Sequence, residues 1–144
     1  MNFSAINLLV VFGATVVANL LGGLWYSPIL FGKPWRKANK MGAPSGEMGG
    51  SAGTFVSSFV LHMIAAYLLA AILGPGAGAM TGLQVGSLIG FSFVFTAMGA
   101  TNLFEHRPLY LIAINSGYHI VSLGLMGMII GYWGLPFCQV ERLC

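Results

Sequence analysis

Two histidines and two asparagines are the residues of this chain best able to do chemistry in an unusual place. His62, His119, Asn19 and Asn115 each lie inside a long apolar run. Counted at ~1.5 Å per helical residue from the ends nearest the basic segments, both histidines fall about 12–15 Å deep, with Asn19 near the same level. Ionisable groups at such depth are costly and mark a pathway, a proton relay or a ligand site by default. The plainer account is hydrogen bonding between helices, worth about 0.6–2 kcal/mol per bond, since a neutral imidazole needs only one donor and one acceptor. Two histidines at one level on facing helices are also the pattern of axial haem ligands, and His with Asn can hold a quinone or a lipid headgroup. A metal ion would want a third ligand, but the only acids, Glu47, Glu105 and Glu141, lie outside the apolar runs. No metal or cofactor is predicted, and haem or a quinone is what this cluster would take if it took one.

Glu105-His106-Arg107-Pro108 also invites a catalytic reading. A carboxylate beside a histidine needs burial to become a useful acid or base, and a short turn ended by proline seldom provides it. The expectation is a local ion pair in a loop. No serine has a nucleophile-elbow context. No residue is assigned as catalytic, and the chain is expected not to be an enzyme.

The elements that position these groups follow from composition. Charged residues make up 6% of the 144 and apolar residues 57%, against about 25% and 45–50% in ordinary soluble domains. Nine charges cannot solvate the surface of a domain this size, so the outer surface must face lipid. Spanning the hydrocarbon layer takes ~20 residues of helix, and residues 4–26, 54–73, 80–102 and 109–133 qualify. Uninterrupted apolar runs without period-two alternation select helices over a barrel. The fold class is therefore all-α, an integral membrane four-helix transmembrane bundle forming a single domain over residues 1–144. The first run lacks a basic leader and is too long for a signal peptide, so it is expected to remain as a helix.

Lys33, Arg36, Lys37 and Lys40 crowd the segment 28–53, Arg107 follows the third span, and Arg142 is the sole basic residue of the tail. The positive-inside rule places both basic loops in the cytoplasm and both termini outside. Over 34–41 a short interfacial helix or an unstructured basic loop is expected. Trp35, Arg36, Lys37 and Lys40 would meet the anionic headgroups, and 44–53 would be a flexible linker. No wider basic face exists for a nucleic acid. Trp25, Tyr26, Tyr132 and Trp133 are expected to anchor at the headgroup level. Cys138 and Cys144 match no metal or redox spacing, and their pairing is left open.

Helical periodicity sorts the polar positions onto faces. Asn7, Thr15, Asn19, Gly22 and Tyr26 share one side of the first span. Ser58, His62 and Ala66 form a row on the second, and Asn115, His119 and Ser122 on the fourth. Gly82, Gly86 and Gly90 make a small-residue ridge on the third span. Gly117, Gly124 and Gly131, with Gly127 beside them, form the second face of the fourth. Such ridges let backbones approach closely; of the polar and the glycine face of the fourth span, one is expected to be satisfied inside the bundle and the other to meet a second protomer or partner. The matching position of one histidine in each second helix hints at a duplicated hairpin.

The segments Gly23-Leu24-Trp25-Tyr26-Ser27-Pro28, Leu30-Phe31-Gly32-Lys33 with Trp35, Phe104-Glu105-His106-Arg107-Pro108 and Asn115-Ser116-Gly117-Tyr118-His119 resemble the bacterial membrane protein family of domain of unknown function 1761. The resemblance covers essentially the whole chain and implies the cytoplasmic (inner) membrane of a bacterium, but no activity. Two functions are expected to compete. The first is a non-enzymatic component working through helix faces, as a homo-oligomer or an accessory subunit of a larger assembly. The second is a small-solute or ion transporter or channel whose pathway is lined by Asn7, Thr15, Asn19, His62, Asn115 and His119.

Overall fold

The computed structural model describes residues 6–39 and 52–134. Expectations resting on Lys40, Glu47, the 44–51 part of the linker, Arg142, Cys138 and Cys144 lie outside them. Helices α1 (Leu8–Trp25), α2 (Gly32–Ala38), α3 (Ala52–Leu73), α4 (Ala79–Ile89), α5 (Thr96–Phe104) and α6 (Leu109–Trp133) follow one another, and no strand occurs among the described residues. A π-helical turn, Gly90–Phe95, joins α4 to α5 in one rod, Ala79–Phe104. That rod, α1, α3 and α6 are long and apolar enough to cross a bilayer, as a multi-pass membrane protein requires.

The first helix begins later than its hydropathy suggests, for a polar reason. The Asn7 carboxamide oxygen accepts from the amides of Leu9 and Val10 at 3.1 and 3.3 Å, an N-cap that answers two of the four orphan donors of a helix start. Asn7 is therefore a cap and not a member of the polar stripe. The basic segment after α1 is helical, over Gly32–Ala38, so the helical alternative for this segment is the one observed.

Helix α6 stands at the centre and touches every other helix as well as the π turn. Its contact with α4 is made backbone to backbone. A Cβ added at Gly82 would run into the Gly127 carbonyl, one at Gly86 into the Leu123 carbonyl, and one at Gly90 would lie 2.7 Å from the Ile120 Cα. The Gly78 amide donates to the Gly131 carbonyl at 3.0 Å, and the Gly124 position abuts the Ser87 hydroxyl. Of the two faces of the fourth span, the glycine face is the one packed inside the bundle. Within one chain, Gly124, Gly127 and Gly131 are covered by α4, because two glycine ridges in facing helices gain more van der Waals contact together than either does against lipid. Gly117 stands apart, and a Cβ added there would lie 3.3 Å from the Trp25 ring.

The buried residues of helix α3 all lie in its second half, while Phe59 and His62 in the first half still touch Phe12 and Tyr118. Ala66, Leu69, Ala70 and Ala71 are buried, and the first three pack with Val11, Ala14, Ala18, Met126 and Ile130. Residues 52–57 at the other end are exposed. Small alanines let the second half close on α1 and α6, while the first turns, with Thr54 and Ser57, stay exposed. Among the described residues the bundle is closely packed at the end of the α3–α4 turn and open at the end of α2.

Candidate functional site

Where α3 departs from α6, a wedge of about 660 Å³ opens, lined by Ser57, Ser58, Leu61, His62, Ala65, Val94, His119, Ser122 and Met126. Val94 reaches it from the π turn, whose wider coil passes the Ile120 backbone at Gly90; such turns recur at functional positions. On the α1 side of α3 lies a second chamber of about 230 Å³, bounded by Asn19, Tyr26, Trp35, Arg36, Phe55 and Tyr118. Thr54 and Ser58 border both spaces.

Tyr118, nearly fully buried, ties the floor together. Its hydroxyl lies 3.0 Å from the Ala18 carbonyl and 3.0 Å from His62 Nε2. His62 Nδ1 lies 2.8 Å from the Ser58 carbonyl. A carbonyl only accepts, so Nδ1 carries a proton and Nε2 of the neutral ring is an acceptor. The single phenolic proton of Tyr118 then serves two acceptors at once. Both ring nitrogens of His62 are engaged, so axial haem ligation would have to break one of these bonds. His119 lies beside the pair, its ring centroid 6.4 Å from His62 and 5.0 Å from Tyr118.

A second knot holds the open end. Asn115 Oδ1 accepts from the Tyr26 hydroxyl at 3.2 Å and from the Trp35 indole at 3.1 Å, and the Trp25 indole donates to the Ile114 carbonyl at 3.0 Å. These bonds pin α2 and the end of α1 to α6. Trp25 and Tyr26 are therefore turned into the bundle, a correction of their expected anchoring role: a buried indole or phenol whose donor meets a carbonyl is better placed inside than at the headgroups. Tyr132 and Trp133 remain exposed, as anchors are. Arg36 does not point away with Lys37, but borders the chamber half-buried.

The four sequence candidates thus gather around a residue that sequence reasoning left out. His62 and His119 adjoin Tyr118, and Asn115 meets Tyr26, whose ring lies 5.4 Å from that of Tyr118. Asn19 borders the chamber, but its amide donates to its own helix at the Thr15 carbonyl, 2.9 Å away. Tyr118 was in view within the Asn115–His119 segment; an aromatic in an apolar run simply carries no sign that its hydroxyl is the hub. Thr15 is fully buried and bonds back to the Val11 carbonyl at 2.9 Å, so with Asn7 used as a cap the polar stripe of α1 lines no continuous pathway. Buried Ser116 has no hydrogen-bond partner for its hydroxyl among the described residues.

The Glu105 turn is an exposed ion pair, Arg107 Nε to Glu105 Oε2 at 3.2 Å, with Arg107 also donating to Asn39 Oδ1 at 3.4 Å. It has none of the burial that acid–base work needs, and it lies at the same end of the bundle as α2. Among the described residues no three His, Cys, Asp or Glu side chains are grouped to hold a metal ion.

No curated protein and no solved structure matches the chain. One family model, described as protein of unknown function (DUF1761), matches residues 9–131. That span takes in the cleft lining from Asn19 to Met126, and the chain belongs to this family.

Proposed function

We propose that this protein binds a small amphipathic solute within the membrane, taking it into the wedge between α3 and α6 from the α2 side as one stage of a transport cycle. The observation that carries the reading is the uneven burial of α3, which leaves a space with apolar walls, a few convergent polar groups and one closely packed end. Small-molecule sites have this make-up and volumes of roughly 300–1,000 Å³. The basic residues around α2 and Arg107 support a cytoplasmic opening by the positive-inside rule, with both termini outside a bacterial inner membrane. The rival reading, a homo-oligomeric or accessory subunit, rests on the glycine ridges and a second packing face of α6; with α4 on the glycine face, a partner would have to use another face.

Native mass spectrometry on protein gently extracted from its host membrane tests the proposal. One bound mass of a few hundred daltons per chain is expected, lost in Ala65→Trp, whose indole fills the wedge, while circular dichroism stays unaltered. A wild-type chain carrying no such mass, or equal retention by the filled variant, refutes the binding reading. A co-purified second polypeptide at fixed stoichiometry moves the assignment to an accessory subunit.

A further inference from the structure

Resting on that binding reading, we infer that the solute is an amphipathic anion, its charged group against Arg36 and its apolar part in the wedge. Arg36 borders the chamber and makes no hydrogen bond or ion pair among the described residues. The one described carboxylate, Glu105, is engaged by Arg107. A guanidinium is always charged, weakly hydrated, and shaped as a planar fork for carboxylate or phosphate oxygens. The neighbouring donors do not compete with it, because the Trp35 indole and the Tyr26 hydroxyl are both spent on Asn115. They contribute ring surface beside the charge instead.

The sign of the solute follows from what lines the two spaces. Among the described residues neither is lined by an acidic side chain, so a cationic group would be desolvated beside a fixed positive charge with no described carboxylate to offset it. Thr54 and Ser58 connect the chamber with the wedge, whose walls continue as Leu61, Ala65, Leu123 and Met126. A headgroup at Arg36 therefore leads directly to an apolar slot.

The test uses full-length protein carrying Trp133→Phe, reconstituted in phosphatidylcholine vesicles, so that Trp35, which lines the chamber, is the reporter, with Trp25 beside Tyr118. Dibrominated stearic acid is titrated as an anionic quencher and dibrominated stearyl alcohol as its neutral counterpart. The acid is expected to quench saturably at a concentration about tenfold lower than the alcohol, as a charge-assisted bond predicts. Arg36→Gln should remove that preference, and Lys37→Gln, the same charge change on an exposed neighbour, should leave it. Equal potency of acid and alcohol, or equal losses in the two variants, overturns the anionic class while the wedge reading stands. Absence of saturable quenching by either probe, with Ala65→Trp behaving as the parent, overturns both. Brominated phosphatidylglycerol added to the vesicles distinguishes the source: competition with the acid makes the anion a lipid headgroup, and no competition makes it a free amphiphile.

Discussion

The bond between Tyr118 and His62 should reveal itself in a double-mutant cycle with an unequal pair of single effects. Tyr118→Phe removes the hydroxyl that lies 3.0 Å from His62 Nε2 and leaves a half-buried acceptor without a donor, at a cost of about 1–2 kcal/mol. His62→Phe keeps a ring of similar size, and the Tyr118 hydroxyl still has the Ala18 carbonyl at 3.0 Å; the cost should be about 0.5–1 kcal/mol. The double variant loses donor and acceptor together, so the coupling should be close to 1 kcal/mol, in the upper half of the range for bonds between membrane helices. Reversible unfolding by dodecyl sulfate in mixed micelles, followed by circular dichroism, gives all four free energies. A coupling within ~0.3 kcal/mol of zero, or a His62 variant less stable than the Tyr118 variant, would refute the proton accounting.

Two further outcomes follow from packing. Gly127→Ala forces a methyl group onto the Gly82 carbonyl and should destabilise the bundle by at least ~2 kcal/mol in the same assay, whereas Gly13→Ala, with nothing within 4 Å of the new carbon, should be neutral or stabilising by up to ~1 kcal/mol. Ser116→Ala removes a buried hydroxyl with no partner among the described residues, so stability should hold or rise by up to ~1 kcal/mol; a clear loss would reveal a bond to a group outside those residues.

The sequence and the structure agree where hydropathy is the controlling quantity. Four spans are legible because each must exclude charge over its length, and the glycine spacing on the third and fourth spans reveals faces because helical periodicity is fixed. Which face meets which was not legible: periodicity orients residues around one axis but does not order the axes, so Gly82 and Gly127 could not be paired in advance. Trp25 and Tyr26 misled for a related reason. An aromatic at the end of a span suits the headgroup level and an inward bond equally, and only the rotation of α1 decides. The uneven burial of α3 left its trace in Thr54 and Ser57 against Ala66, Ala70 and Ala71, a gradient along one helix that a window average erases.

The central position of α6 also governs how the protein can be made. Every other described helix docks on α6, which leaves the ribosome after all of them, so the earlier spans enter the bilayer before their main partner exists. His62 must wait without Tyr118, and the ridge of Gly82, Gly86 and Gly90 must wait without its seam. Insertion and assembly are thereby separated in time, with assembly held until α6 has been made. A chain interrupted before residue 109 would leave inserted helices with no bundle to join, a ready substrate for membrane quality control.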